Sequence, residues 1–210
     1  SQEALLLTIG TTVDVTEQVL VPSPSFLGYV PTVELCDAVP ITVPLLPENN
    51  FEINPDDVEK LVDAGKTKAI IINTPSNPTG TVIRKKTLEE LADIVIEHDI
   101  YIFSDEAYEK IIYDNVKHVS VASLNGLQDN VVSFFTFSKS YAMCGYRLGY
   151  CVAPPAVAEA LTKIHVYSTI SAPTISQMLG VKALQMGNSY LNMMVREYKR
   201  RRGFIVCLEA

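Results

Sequence analysis

The sequence lacks the paired cysteines and clustered histidines from which disulfide frameworks and metal sites are built. In a chain of 210 residues, disulfide staples are not needed, and the four cysteines are far apart without metal-ligand spacing: Cys36, Cys144, Cys151 and Cys207. The three histidines are isolated from each other and from any acidic or cysteine pattern: His98, His118 and His165. We therefore predict no metal site, structural or surface roles for the histidines, and a reducing cytoplasm as the compartment.

The sequence also has few basic residues and no long apolar run. Its 17 Lys and Arg are outnumbered by 24 Asp and Glu, so a broad basic surface for phosphate backbones is absent and no nucleic-acid partner is predicted. No apolar stretch approaches the ~20 residues of a membrane-spanning helix, and no basic signal-peptide start is present. There is no glycine-rich dinucleotide fingerprint and no Walker-type loop. These absences exclude the usual nucleotide-binding and membrane classes.

What the sequence does contain is an alternation of short β-branched runs with helical patterns. The runs at 69–72 and 100–103 are apolar on both faces, as strands covered by helices on each side must be. We find no internal repeat and no Gly/Ser linker. The pattern predicts one α/β domain over 1–210, a three-layer α/β/α arrangement with a mostly parallel mixed sheet. Its strands are expected at 19–21, 69–72, 100–103, 131–135 and 148–152.

Several helices carry recognisable end signals. Asn54 can cap a helix that has Pro55 at its first position, and Thr87 with Glu90 forms a capping-box pattern for the helix between the two clearest strands. After residue 153 there is no strand signal, and helices are predicted at 156–167, 174–186 and 189–208. Both termini lie in helical patterns, which predicts that the chain is a fragment.

Polar segments follow three of the predicted strands. Residues 77–80 (Asn-Pro-Thr-Gly) follow the first, Asp105 and Tyr108 follow the second, and Lys139 follows the third between hydroxyl side chains. Each alone has a structural explanation, namely a turn, a helix cap and a solvated lysine. In open α/β sheets, however, ligands bind beyond the carboxyl ends of strands, so these segments should meet at one edge.

Together these side chains suit an aromatic, phosphorylated, aldehyde-bearing cofactor. A desolvated lysine flanked by a cation such as Arg147 has its pKa lowered from about 10.4 and can attack a carbonyl carbon. A carboxylate at a strand end can pair with a pyridinium nitrogen and hold it protonated. We predict that Lys139 is the nucleophile and that Asp105 is the carboxylate.

Three motifs resemble fold-type I pyridoxal-phosphate aminotransferases of class I/II, the branch with the aspartate and aromatic aminotransferases. They are Asn-Pro-Thr-Gly at 77–80, Asp-Glu-Ala-Tyr at 105–108 and Ser-Lys-Ser-Tyr-Ala-Met-Cys-Gly-Tyr-Arg-Leu-Gly at 138–149. The resemblance covers essentially the whole chain. It implies the large, cofactor-binding domain of such an enzyme, without its N-terminal arm and its C-terminal small domain, and a homodimer with the site between two subunits.

The resemblance also implies a role for each motif residue. Lys139 would form a Schiff base with pyridoxal 5'-phosphate, and Asp105 would pair with the pyridine nitrogen. The phenolic oxygen of the ring would accept from Asn77 and Tyr108. Phe26 would stack on the ring, with Tyr29 as the competing choice. The phosphate would be held by a set of side-chain and backbone donors: Arg147, Thr136, Ser138 and the backbone of Ser1 and Gln2.

The reaction implied by the resemblance is transfer of an amino group between an amino acid and a 2-keto acid. Two alternatives stay open at this point: a β-lyase or related lyase with the same cofactor, and a non-catalytic sensor domain of a transcription regulator. The arginine that binds the substrate carboxylate in this family lies downstream of the chain's end. The sequence therefore does not identify the substrate.

Overall fold

A mixed six-stranded sheet forms the centre of the computed structural model, which describes residues 1–124 and 126–209. In chain order the strands are β1 (Gln18–Ser23), β2 (Val39–Pro44), β3 (Thr67–Asn73), β4 (Tyr101–Asp105), β5 (Val131–Thr136) and β6 (Gly149–Val152). Their spatial order is β2-β1-β3-β4-β5-β6, and only the pairing of β5 with β6 is antiparallel. The predicted mostly parallel mixed sheet is confirmed.

Helices cover both faces of this sheet. They are α1 (Gln2–Thr12), α2 (Tyr29–Leu35), α3 (Pro55–Leu61), α4 (Lys85–His98), α5 (Phe137–Ser140), α6 (Pro155–Ser168), α7 (Thr174–Gln185) and α8 (Ser189–Glu209). One core cluster joins α3 and α4 to sheet residues such as Ile70 and Ile102, and the other joins α1, α2 and α6 to Ile71 and Phe103. Because neighbouring strand residues point to opposite faces, Ile70 and Ile71 belong to different clusters. The result is the three-layer α/β/α fold that the sequence predicts.

The sequence pattern missed β2. Its residues include Pro40 and Pro44, and proline inside an apolar run argues against a central strand because it cannot donate a ladder hydrogen bond. In the structure β2 is an edge strand that pairs with β1 alone, where proline is tolerated. The other predicted strands and the three C-terminal helices are present, with shifts of at most two residues at their ends.

The two predicted helix starts had different outcomes. The prediction for Asn54 is confirmed, because its side-chain oxygen accepts the N–H of Asp56 at 3.2 Å and Pro55 is the first residue of α3. The capping box at Thr87 is wrong, since α4 begins at Lys85. Thr87 instead donates to a carboxylate oxygen of Glu52 at 2.8 Å, and the same oxygen accepts the N–H of Arg84 at 2.9 Å. A carboxylate from a distant loop therefore takes the place of a local cap.

Candidate active site

A cleft of about 470 Å³ lies at the carboxyl ends of the parallel strands. After β1 the chain moves to β2 on one side, and after β2 it returns to β3 on the other side of β1, which creates the kind of switch point where α/β sheets bind ligands. The cleft is lined by all ten residues that the sequence predicts: Ser1, Gln2, Phe26, Asn77, Asp105, Tyr108, Thr136, Ser138, Lys139 and Arg147. The structure therefore brings these residues together from separate segments of the chain.

Asp105 is the last residue of β4 and presents its carboxylate to the cleft. One carboxylate oxygen accepts the hydroxyl of Tyr29 at 2.8 Å, and the other accepts the N–H of Ala107 at 3.1 Å. Burial raises the pKa of Asp105 above its usual value, while these two hydrogen bonds lower it in part. The carboxylate is thus half-buried at the cleft, where a cationic ligand group would be stabilised.

Tyr29 is the alternative to Phe26 that the sequence offers for stacking on a cofactor ring. In the structure its ring is 1% exposed and its hydroxyl donates to Asp105. Burial and the neighbouring Asp105 carboxylate raise the pKa of Tyr29 well above its usual value, so the hydroxyl stays protonated as a donor. Phe26 lines the cleft beside it, with the two rings edge to face at 5.5 Å. Tyr29 therefore holds the Asp105 carboxylate in place through this hydrogen bond.

Removing the Tyr29 hydroxyl should destabilise the protein through Asp105. Tyr29→Phe leaves a buried carboxylate with one donor fewer, and an unsatisfied buried group costs about 1–3 kcal/mol. We expect a loss of that size in the free energy of unfolding at neutral pH, with less loss at acidic pH where Asp105 is protonated. Denaturant titration measures it. Tyr167→Phe, at a tyrosine that is 91% exposed, is the matched control and should change little. Equal effects of the two substitutions would contradict this role.

Asn73 is a residue of the site that the sequence analysis missed. It ends β3, pairs in register with Asp105, and its side-chain amide donates to the Asp105 carbonyl at 3.0 Å. The amide oxygen of Asn73 accepts the N–H of Asn77 at 2.7 Å. Asn73 therefore fixes the loop that carries Asn77 against the strand that carries Asp105. The only signal for it in the sequence is its place directly before the polar segment at 74–80.

Lys139 lies in the short helix α5, which Thr136 caps. The hydroxyl oxygen of Thr136 accepts the N–H of Ser138 at 3.1 Å, and the Lys139 ammonium lies 5.5 Å from the centre of the Tyr108 ring. The cap makes α5 begin directly at the end of β5, so Lys139 is held at the cleft. Its side chain is exposed, however, and the prediction of a desolvated amine is wrong for this chain. The cleft is open to solvent on that side.

Arg147 and the start of α1 bring positive character to the same cleft. Arg147 has a left-handed backbone with φ 52°, and its guanidinium donates to the carbonyl of Cys144 at 2.8 Å. Gly149 follows on β6, where an added Cβ would lie 2.7 Å from the Ser1 nitrogen, so only glycine lets β6 approach the α1 terminus this closely. Helix starts leave backbone N–H groups unpaired and favour anions. The side chain of Gln2 turns away to donate to Thr32 at 2.9 Å.

Residues elsewhere give no sign of a metal centre. Within residues 1–124 and 126–209, no group of three or more His, Cys, Asp or Glu side chains is placed to hold a metal ion, and the four cysteines are free. His118 pairs with Glu106 at 2.8 Å, and His165 lies 3.5 Å from Glu3. Across the described part of the chain, no helix combines the length and apolar character needed to cross a membrane.

Comparison with known proteins decides the family. The family model for aminotransferase class I and II matches residues 1–207. The chain belongs to this family. The aminotransferases most similar to it include aromatic-amino-acid aminotransferase 2 of Thermococcus litoralis and the aspartate aminotransferase of Pyrococcus abyssi, each 42% identical over 207 residues. Both alignments cover 98% of this chain and 53% of the relative, so the chain spans about half the length of these aminotransferases.

Solved aminotransferase structures have the same fold. The aromatic aminotransferase from Pyrococcus horikoshii OT3 matches with a TM-score of 0.93 and 41% identity over 97% of this chain and 55% of that one. The aspartate aminotransferase from Thermus thermophilus with maleate matches with a TM-score of 0.94 and 32% identity, over 98% and 53%. The three-layer arrangement around the cleft is thus that of the class I and II aminotransferases.

Proposed function

We propose that the whole protein is a pyridoxal-phosphate-dependent aminotransferase and that this chain carries most of its cofactor site. The observation that supports the proposal most is the shared cleft of Lys139, Asp105 and Arg147. An amine, a carboxylate and a guanidinium meet the three chemical demands of this cofactor, which has an aldehyde carbon, a basic ring nitrogen and a phosphate. The membership of the chain in the class I and II family supports the same cofactor.

The side chains of the cleft fit the parts of that cofactor. Arg147, the unpaired N–H groups at the start of α1, and the hydroxyls of Thr136 and Ser138 would hold the phosphate. Asp105 would hold the ring nitrogen in its cationic form, which compensates for the burial that raises the pKa of this carboxyl. Asn77 and Tyr108 would bind the phenolic oxygen, and Phe26 would pack on the ring. Lys139 would bond the aldehyde carbon.

The chemistry divides between the cofactor and this chain. When bound, pyridoxal phosphate supplies an electron-withdrawing ring that accepts charge from the substrate α-carbon. The Lys139 amine would take a proton from the substrate α-carbon as a positioned base and would deliver it to the former aldehyde carbon of the cofactor as an acid. The ring centre of Tyr108 lies 5.5 Å from Lys139 Nζ. Asp105 would keep the ring nitrogen protonated.

The substrates are proposed as an amino acid and a 2-keto acid. Relatives with 42% identity are named for aspartate and for aromatic amino acids, so these two classes are the first to test. Neither the lyase nor the regulatory-sensor alternative is favoured by a feature of the described residues. Every relative named above is an aminotransferase.

A coupled assay on the whole protein tests the function. Loaded with pyridoxal phosphate and given aspartate or an aromatic amino acid, it should form the corresponding keto acid only when a second keto acid is present as acceptor. A lyase would release product without the acceptor. No product under either condition, for any common amino acid, would contradict the proposed activity.

The assembly is proposed from exposed apolar surface, and the compartment from the sequence. Helix α7 exposes several large apolar side chains, among them Ile175, Met178, Val181 and Leu184. Contiguous exposed apolar surface is typical of interfaces. We propose that a second copy of the protein contributes to its burial and completes the open side of the cleft. The cytoplasm stays a prediction from the cysteine pattern.

A further inference from the structure

A fully buried carboxylate lies directly next to Asp105 and is not used by the proposed chemistry. Glu106 is 0% exposed, and its carboxylate lies within hydrogen-bond distance of the side chains of four residues. The hydroxyls of Ser104, Ser120 and Ser133 lie at 3.1, 2.9 and 3.2 Å from Oε1, and His118 Nε2 lies at 2.8 Å from Oε2. A carboxylate removed from water needs such donors, because its burial is otherwise very costly.

His118 contacts Glu106 through one ring nitrogen alone. Within the part of the chain that the structure describes, His118 Nδ1 is buried and has no hydrogen-bond partner, while Nε2 faces the carboxylate. A carboxylate is an acceptor, so the tautomer with its proton on Nε2 is the one that donates to Glu106. The His118 side chain is 9% exposed, which protects this contact from competing water. Glu106 and His118 therefore form a closed pair in the interior.

The pair lies on the face of the sheet opposite the Asp105 side chain. Ser104 and Ser133 are partners in the β4–β5 register, and the segment with His118 and Ser120 leads into Val121, which belongs to the core cluster of α3 and α4. Asp105 contacts Tyr29, which belongs to the cluster of α1 and α2. Glu106 therefore ties the end of β4 to β5 and to the 118–120 segment without reaching the cleft.

We propose that Glu106, held by His118, is a positioning residue that fixes the backbone at 105–108 and thereby aims Asp105 and Tyr108 into the cleft. The backbone there has further ties, since Glu106 N–H donates to Phe134 O at 3.0 Å and Ala107 N–H donates to the Asp105 carboxylate at 3.1 Å. Both contacts depend on where residue 106 lies. The role in aiming cofactor-binding groups rests on the proposed function.

Hydrogen exchange in the cofactor-free whole protein tests whether Glu106 fixes the backbone at 105–108. In Glu106→Gln the amides of residues 106–108 should exchange about 10-fold faster or more, while those of 70–72 in β3 keep their protection. Glu109→Gln removes the same charge from the same loop, at a side chain that is 26% exposed, and should leave the 106–108 amides unchanged. Unchanged exchange in Glu106→Gln would overturn the proposal even if the protein never binds pyridoxal phosphate.

Absorbance of the bound cofactor tests the aiming of Asp105. In Glu106→Gln we expect an affinity for pyridoxal phosphate about 10-fold weaker. The pH at which the visible absorbance titrates should also rise, because a ring nitrogen held less firmly as a cation withdraws less charge. Val121→Ala, which removes apolar volume from the same segment, is the control for lost stability alone. A shift of the same size in Val121→Ala would overturn the positioning role and leave a structural one.

Substitutions at His118 keep the test decisive if Glu106→Gln does not fold. His118→Gln retains a donor within reach of Glu106, and His118→Leu does not. We expect His118→Leu to reproduce the faster exchange and the absorbance shift, and His118→Gln to restore both most of the way to the values of the unsubstituted protein. Equal behaviour of the two variants would overturn the proposal. Failure of the unsubstituted protein to bind the cofactor would reject the proposed function. The exchange comparison would still decide whether Glu106 fixes the backbone at 105–108.

Discussion

Lys139→Ala should abolish transamination by the whole protein. The substitution removes the amine that bonds the cofactor and also the group that moves the proton at the α-carbon. A positioned acid–base group alone contributes about 10²–10⁴-fold, so we expect a loss of kcat of ~10⁴-fold or more. The variant should still bind pyridoxal phosphate without a covalent bond, because Arg147, Asp105 and the start of α1 are unchanged. Steady-state keto acid production measures the loss.

Lys110→Ala is the matched control for Lys139→Ala. Lys110 follows the same strand end as Tyr108, and its ammonium lies 3.3 Å from the hydroxyl of Tyr141, outside the cleft lining. Its removal should leave kcat within a few-fold of the unsubstituted protein. Full turnover by Lys139→Ala, or an equal loss in Lys110→Ala, would reject Lys139 as the catalytic amine.

Asp105→Asn should have opposite effects on stability and on cofactor binding. Burial raises the pKa of Asp105 in the folded chain above its value in the unfolded chain. Above the folded pKa the ionised carboxyl therefore costs folding free energy. That cost decreases as the pH falls through the folded pKa, and it is gone below the pKa of the unfolded chain. The neutral Asn should raise the melting temperature of the cofactor-free protein at neutral pH, by ~2–4 °C for each kcal/mol relieved. The gain should vanish at acidic pH.

The same substitution should weaken the affinity for pyridoxal phosphate. A hydrogen bond to a charged group contributes about 1.5–3 kcal/mol, which corresponds to roughly 10–100-fold in the dissociation constant. Fluorescence or absorbance titration measures the affinity, and thermal unfolding of the cofactor-free protein measures the stability. Asp129→Asn, at an exposed acid, is the control for charge alone. Asp105→Asn with undiminished affinity would contradict the pairing of Asp105 with the ring nitrogen.

The parts of the fold that depend on local pattern could be predicted from the sequence. Runs such as 69–72 are apolar on both faces, and the Asn54-Pro55 helix start is complete within two adjacent residues. The missed β2 and the wrong capping box at Thr87 have a common cause, because both depend on distant partners. Pro40 and Pro44 are tolerated only because β2 is an edge strand, and Thr87 is committed to Glu52 from a loop 35 residues away.

In the candidate site, too, residues with a local sequence pattern could be predicted and residues that depend on distant partners could not. The residues with motif positions, Asn77, Asp105, Lys139 and Arg147, could be named from the sequence, and they line one cleft. The roles of Tyr29 and Asn73, which hold them in place, could not be predicted, since a hydrogen bond across 76 or 32 residues leaves no local pattern. The exposure of Lys139 could not be predicted either. The desolvation of Lys139 depends on all the residues that cover the cleft, whereas the polar segments of the sequence indicate only which residues line it.

Borohydride trapping in the whole protein tests the central proposal most directly. The protein is incubated with pyridoxal phosphate, reduced and digested, and the modified lysine is identified by mass spectrometry. We expect a visible absorption band before reduction and one predominant modified peptide, which carries the cofactor on Lys139. Stoichiometric modification at other lysines with Lys139 unmodified, or no band at saturating pyridoxal phosphate, would contradict the assignment of this cleft as the cofactor site.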